Sequence, residues 1–245
     1  MNIPEILIQK LRAARHVLAF TGAGISAESG LATYRDPQTG LWSKFLPQEL
    51  ATPEAFQRRP DMIWAWYASR RQAVERAEPN PGHRALVALE NRVPRLTLVT
   101  QNVDGLHQRA GNRRVIELHG NLTRTRCSEG AHRVETWPAT EEVPPRCPVC
   151  GARLRPDVVW FGETLPLDAW EAAVAATQDC DVCMAIGTSA VVRPAALLPE
   201  LAQKSGALLV EINPEPTPLS THSDVTLAGK AGEVLPAVVR VAWPA

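Results

Sequence analysis

Short apolar runs that stop abruptly at glycine, asparagine, aspartate or histidine recur along this chain, and they restrict its architecture more than any other feature. HVLAF (16–20) runs into TGAGISAESG, RLTLVT (95–100) into QNVDG, and VIEL (115–118) into His119 and Gly120. VCMAIGTS (182–189) reads as a strand with a glycine turn, ALLVEIN (207–213) as another buried strand, and DVVWF (157–161) as strand-like. Between them lie helical patterns at 3–15, at 60–78 with Pro60 in the first turn and Pro79 closing it, at PGHRALVALE, at 168–178, at PAALLPELAQ, and from near Gly232 toward Arg240. Apolar strands separated by helices imply an α/β fold, a doubly wound parallel sheet with helices on both faces. In such sheets a ligand binds beyond the carboxyl ends of the strands, at a switch point in strand order. GAGIS, TQNVDG, LHG, GTS and INP all fall at strand ends, which makes them the candidate site.

Composition narrows the class. Lysine plus arginine equals aspartate plus glutamate at 26 each, so the formal charge is zero and gives no bulk attraction to nucleic acid or an acidic membrane. With 45% hydrophobic and 21% charged residues, the 245-residue chain has material for a core, which excludes collagen-like, disordered and coiled-coil readings. No stretch approaches the roughly 18 apolar residues of a membrane span. Gln9, Lys10, Arg12 and Arg15 interrupt what a signal peptide would need as its apolar core. A cytoplasmic protein is therefore expected. An odd count of five cysteines, without a secretion signal, points to metal or core roles rather than disulfides.

Gly22, Ala23, Gly24, Ile25, Ser26 and Ala27 match the G-x-G-x-x-G/A turn, set after a strand and before a helical start. There the first glycine permits a tight bend and the second lets the backbone approach a pyrophosphate. A small third residue allows close helix–strand packing. A glycine-rich turn without a ligand satisfies the same pattern. The acidic residue that a dehydrogenase carries about 20 residues later is missing. An excursion, LATYRDPQTGLWSKFLP, stands there instead and disfavours an ordinary dehydrogenase.

TGAGISAESGLATYRD, GLW, TQNVDGLH, ELHGNL, a cysteine-bearing insert, RPDVVWFGE, GTSAVVRPAA and INPEPT follow one another in this order. The series resembles the sirtuin family of NAD-dependent protein lysine deacylases. The chain departs from the family at Ala32 (usually Pro), Tyr34 (usually Phe) and Asp36 (usually a small residue). The resemblance implies a Rossmann-like core over about 1–40, 80–120 and 157–245. A smaller discontinuous domain with a cysteine-rich zinc-binding module would take about 41–79 and 121–156. It further implies that His119 is the general base toward the nicotinamide ribose hydroxyls, a task that suits an imidazole near neutrality. Asn102 joins it as catalytic. Gln101, Asn102 and Asp104 would hold ribose hydroxyls and the carboxamide, although a polar cap at a strand–helix junction is the bland alternative. Gly22, Ala23, Gly24, Ser26, Ala27, Arg35 and Trp42 would contact the cofactor on one side. Gly187, Thr188, Ser189, Asn213 and Ala231 would do so on the other.

By the same resemblance, the acyl-lysine carbonyl oxygen attacks C1′ of the nicotinamide ribose and expels nicotinamide. A ribose hydroxyl activated by His119 then attacks the resulting imidate, and water completes the release of lysine and O-acyl-ADP-ribose. NAD is thus a consumed cosubstrate. Val159, Phe161 and Gly162, in VWFGE, resemble the segment that pairs with the substrate backbone as an added strand. On the 60–78 helix, Ile63, Trp66, Tyr67, Arg70 and Val74 share one face. A phenol and a guanidinium one turn apart could grip a distal carboxylate, or Arg70 could reach solvent beside Arg71 while Tyr67 merely packs. The Y-x-x-R pair resembles that of class III sirtuins favouring succinyl- or malonyl-lysine, and acetyl-lysine remains an expected substrate.

Cys147 and Cys150 form a half-site followed by Gly151, with Cys127 upstream. Structural zinc takes four thiolate or imidazole ligands. The family's second cysteine, three residues after Cys127, is Gly130 here, and His132 is the nearest replacement. The alternative is a degenerate module that folds without metal. Cys180 and Cys183, three apart on a strand, do not share a face and read as core residues. Acyl-lysine proteins or peptides are the expected partners, without nucleic acid or membrane, and no feature sets an oligomeric state. Two other functions fit the same residues. A protein mono-ADP-ribosyltransferase would leave Tyr67 and Arg70 without a role, and a non-enzymatic NAD-binding module would not need His119.

Overall fold

The computed structural model describes residues 2–32, 46–138 and 141–244. Arg35 and Trp42, expected at the cofactor, lie outside the described residues, as do the departures at Tyr34 and Asp36. Helix α1 (Glu5–Ala13) leads into strand β1 (His16–Thr21) and a 3-10 helix (Ala23–Ser29). Three helices follow, α2 (Pro47–Leu50), α3 (Pro53–Arg58) and α4 (Pro60–Arg76), then α5 (Pro81–Glu90), β2 (Arg95–Thr100), α6 (Leu106–Ala110) and β3 (Val115–Glu117). Next come β4 (Gly120–Cys127), β5 (Arg133–Val134) and β6 (Leu154–Val158), and then α7 (Leu167–Gln178) and β7 (Val182–Ile186). The chain closes with α8 (Leu198–Lys204), β8 (Leu208–Asn213), β9 (Val225–Ala228) and α9 (Ala231–Ala242).

Six strands form one sheet in the order β3-β2-β1-β7-β8-β9, every neighbour parallel. The strand order reverses between β1 and β7, so the switch point falls where β1 ends in Gly22 and β7 ends in Gly187. β1 and β7 are buried along their whole length, which is why they read as unbroken apolar runs. One face packs Leu7 and Leu11 of α1, Leu86 and Leu89 of α5, and Val234 and Val238 of α9. The other face sets Leu18, Phe20 and Val99 against Ala173 of α7 and Leu198 and Ala202 of α8. Among the described residues, no helix is long and apolar enough to cross a membrane.

A second, antiparallel sheet has the order β5-β4-β6. It corrects one expectation. The strand foreseen at 157–161 runs from Leu154 to Val158 and belongs to this small sheet, and the chain leaves it to turn at Phe161 and Gly162. Its charged positions hid it from the apolar-run criterion. Buried Asp157 is paired with Arg124 and Arg133, each at 3.1 Å, and buried Arg155 with Glu163 at 2.5 Å. Helices α3 and α4 join this sheet through a cluster of Phe56, Ile63, Trp66, Tyr67, Leu122 and Trp160.

Candidate active site at the strand carboxyl ends

The five motifs stand together at the carboxyl ends of β1, β2, β3, β7 and β8. At the switch point the two glycine loops touch backbone to backbone. The N–H of Gly24 donates to the carbonyl of Gly187 at 2.8 Å, and the N–H of Gly22 to that of Ile186 at 3.0 Å. A Cβ on Gly24 would come within 2.8 Å of Gly187 Cα. Gly187 itself has φ +57°, and a Cβ there would lie 2.4 Å from the nitrogen of Ile25. Glycine is therefore required here by the close approach of two loops. The turn also differs from expectation beyond it. A 3-10 helix follows, and Ala27 is exposed on it, so Ala27 supplies no close helix–strand packing. Glu28 reaches instead to the start of α9, where its carboxylate accepts the N–H of Gly232 at 2.7 Å, beside buried Ala231. An acidic group there complements the positive end of the helix dipole.

The β2 end carries a buried polar network. Ser26 donates to Asp104 Oδ2 at 2.7 Å and accepts from Asn102 Nδ2 at 3.2 Å, while the N–H of Leu106 donates to Asp104 Oδ1 at 2.9 Å. Burial pushes the Asp104 carboxyl up, against the opposing pull of these two donors. His83 was not singled out by the sequence, yet it closes this network, with Nε2 3.5 Å from Ser26 Oγ. Its Nδ1 accepts from the N–H of Asn80, whose side chain in turn accepts from Gly82 and His83, forming the capping box that starts α5. The Asn-Pro-Gly-His order at 80–83 was the available signal. Burial holds His83 down to about 4, hence neutral. His107 was likewise passed over. It sits 3.0 Å from Thr21 Oγ1, which donates to Thr100 Oγ1 at 2.8 Å.

Gln101 links the two halves of the sheet. Its side chain donates to Thr188 Oγ1 at 2.9 Å, and Asn213 Nδ2 donates to the Thr188 carbonyl at 2.8 Å. Ser189 is half-buried beside them. The Gln101 carbonyl lies 3.0 Å from His119 Nδ1. A carbonyl only accepts, so Nδ1 carries the proton and Nε2 keeps its lone pair. Burial lowers the His119 pKa, and the hydrogen bond to Gln101 opposes that shift. The His119 carbonyl accepts the N–H of Val159 at 2.9 Å, which ties the VWFGE segment to the catalytic candidate. Gly120 must follow, because with φ +78° a Cβ would collide with the Asp157 carbonyl at 2.1 Å.

Val159 is half-buried, while Phe161 and Gly162 are exposed, Gly162 with φ +87°. The N–H of Trp160 donates to the Glu163 carboxylate at 2.8 Å and that of Phe161 to the Ala51 carbonyl at 2.9 Å. The Trp160 indole donates to the Tyr67 hydroxyl at 2.9 Å, which fixes the phenol at 3% exposure. One turn on, the half-buried Arg70 guanidinium lies over the Trp66 ring, 5.1 Å from its centroid.

Away from the strand ends, Cys127, His132, Cys147 and Cys150 bring their ligand atoms within 4.8 Å of one another. Cys127 Sγ is 3.4 Å from Cys150 Sγ, and Cys147 Sγ is 3.5 Å from His132 Nδ1. Three thiols and an imidazole are a donor set suited to structural zinc. The spacing that looked irregular has a steric reason. A Cβ on Gly130 would point at the His132 ring, 3.2 Å from Nδ1, so the imidazole occupies the space a side chain at 130 would fill. Cys180 and Cys183 are buried core residues, as expected, and burial pushes the Cys180 thiol up to about 12.

The Sir2 family profile matches residues 22–194. The chain is 51% identical over 239 residues to NAD-dependent protein deacylase 2 of Pyrobaculum aerophilum, covering 98% of this chain and 94% of that protein. It is 52% identical over 229 residues to the NAD-dependent protein deacylase of Thermus thermophilus, covering 92% and 89%. Among solved structures, a Sir2 homologue–NAD complex matches with a TM-score of 0.93 at 45% identity, covering 98% of this chain and 94% of that one. A Sir2–p53 peptide–NAD+ complex matches at 0.86 and 30% identity, covering 98% of each. Sequence, topology and the strand-end site agree, and the chain belongs to the Sir2 family.

Proposed function

We propose that this protein is an NAD-dependent protein lysine deacylase with His119 as its general base. The observation that carries the reading is the His119–Gln101 hydrogen bond at 3.0 Å, which leaves Nε2 unprotonated at the edge of the strand-end site. Relatives about half identical to this chain bear the deacylase name, and structural neighbours hold NAD and a peptide. When bound, NAD supplies an electrophilic ribose carbon and nicotinamide as leaving group. His119 Nε2 takes the proton from a ribose hydroxyl. Asn102, Asp104 and Ser26 are already joined by hydrogen bonds and hold that end of the dinucleotide with Gln101. Gly22, Ala23 and Gly24, across the switch point from Gly187, Thr188 and Ser189, would hold the phosphates. Asn213 and Ala231 take the adenosine side. Val159, Phe161 and Gly162 receive the substrate backbone. Zinc, held by Cys127, His132, Cys147 and Cys150, has a structural role.

The acyl group is a dicarboxylic one, succinyl or malonyl, gripped by Tyr67 and Arg70, with acetyl also accepted. The support is their placement one turn apart on α4, with the phenol fixed by Trp160 and the guanidinium half-buried. The test is mass spectrometry of matched acetyl- and succinyl-lysine peptides, with and without NAD. Faster loss of succinyl, with succinyl-ADP-ribose formed only with NAD, is expected. Acetyl removal alone would retain the deacylase and overturn the acid grip. ADP-ribose attached to protein, with neither acyl group lost, would overturn both.

A further inference from the structure

A cavity of about 590 Å³ opens at the end of the parallel sheet opposite the candidate site, beside the amino ends of β1 and β2. Its size is that of a small-molecule site. It has two kinds of wall. Ile116 of β3 and Ala172, Ala175 and Ala176 of α7 give an apolar side, while Arg95 and Arg114 give a cationic one. The Arg114 guanidinium is exposed and has no hydrogen-bonded or ion-paired partner among the described residues. Arg113, at the rim, is already taken by buried Glu90 and by Asn91.

Arg95 is held in place from below. It donates to His16 Nδ1 at 2.7 Å, and His16 Nε2 lies 2.9 Å from Thr97 Oγ1. An imidazole that accepts through Nδ1 from a guanidinium is neutral, so it adds no charge and orients the arginine. Arg95 also pairs with Asp179, whose carboxylate is 64% exposed and caps the carboxyl end of α7. A negative charge at that end opposes the helix dipole, so Asp179 is a weak occupant that an incoming anion can replace.

We propose that this cavity binds a small amphipathic anion, a phosphate or carboxylate carrying a short apolar body, at a site separate from the one at the strand carboxyl ends. The anionic head takes Arg114 and displaces Asp179 from Arg95. The body lies along Ile116 and the α7 alanines.

Calorimetry with hexyl phosphate tests this, with inorganic phosphate and hexanol as the head and tail alone. Saturable one-to-one binding is expected, at least tenfold tighter than either part, weakening as salt rises. Arg114→Ala, at an exposed and unpartnered side chain, should weaken it about tenfold. Ala175→Glu, on the exposed face of α7, should abolish it. Asp179→Asn should tighten it severalfold by removing the competing carboxylate. Circular dichroism on each variant checks that the fold is kept. Absence of saturable binding, indifference to both Arg114→Ala and Ala175→Glu, weakening by Asp179→Asn, or displacement by NAD would each overturn the proposal.

Discussion

The two sheets of this protein are held together by different physics. The parallel sheet closes over apolar side chains on both faces, and its strand ends are locked by backbone contacts such as Gly24 on Gly187. Among the described residues, the apolar cluster at the far end of the small sheet consists of buried Trp64, Cys127, Cys147 and Leu154, with Val134, Trp137 and Ala152 half-buried around them. A cluster that small does not offset the ordering of a loop-rich segment. Four ligand atoms gathered within 4.8 Å stand beside it, and a metal held there would add to the cohesion of this end. The parallel sheet is held mainly by burial, whereas the small sheet combines a buried cluster with α3 and α4, buried ion pairs and, at its far end, a donor set suited to a metal. Function needs both, because β6 leads directly into Val159, which is bonded to the His119 carbonyl.

Metal removal should separate the two sheets most widely. Structural zinc contributes on the order of 10 kcal/mol in small modules. Stripping it with a chelator should expose the amides of β4 and β6 to hydrogen exchange and make Cys127, Cys147 and Cys150 reactive to thiol reagents. Exchange in β1, β2 and β7 should stay slow. Equal protection of both sheets after complete metal loss would show that the small one holds by its core.

His119→Ala probes the parallel-sheet side. Loss of a general base costs about 10³-fold in kcat/KM, while NAD affinity and the melting temperature should barely change. The pH profile sharpens the point. His119 acts when neutral, so activity falls as pH drops through its pKa. Burial lowers that pKa, so the acid limb should lie below the ordinary 6.5. A limb above 6.5 that disappears in the variant would show the hydrogen bond to Gln101 outweighing burial, against the direction expected here.

Acid should separate the sheets by a smaller margin. His83 is fully buried and its pKa is held down by desolvation to about 4, against 6.5 for the unfolded chain. The folded form therefore binds fewer protons in this window. Its stability is intact above 6.5 and is lost as pH falls toward 4, by about 2 kcal/mol at pH 5 from this group alone. Urea unfolding of the parallel sheet followed from pH 8 to pH 5 should show that slope, and a flat midpoint would count against the buried neutral imidazole.

Much of the parallel half was legible because burial and chemistry left separate marks. β1, β2, β7 and β8 are buried along most of their length and predominantly apolar, and each stops at a motif that the structure places at the site. The small sheet was harder, since β4 and β6 carry Arg124, Arg155 and Asp157 inside, satisfied by ion pairs that no periodicity reveals. His83 and His107 were missed for the related reason that lone histidines look structural until their neighbours in space are known. Ala27 misled in the other direction, because the motif implies close helix–strand packing at its small third residue, whereas Ala27 is exposed on a 3-10 helix.

The smallest expected effect concerns which residue completes the metal site. The His132 ring fills the space in front of Gly130, 3.2 Å from where a Cβ would stand. Either position can then send one ligand atom to the same place, but both cannot. His132→Asn alone should release zinc to a weaker chelator than the parent protein requires. Adding Gly130→Cys to it supplies a thiol from the vacated side, and zinc affinity should return to within about tenfold of the original, roughly 1.4 kcal/mol. Gly130→Cys with His132 retained should crowd the ring and weaken binding. Competition with a chromophoric chelator at fixed pH reads all three. If the double variant stays as weak as His132→Asn, the two positions are not interchangeable and His132 contributes more than its nitrogen. If His132→Asn loses nothing, the module is held by its three cysteines and the burial around them, and the contrast between the sheets narrows accordingly.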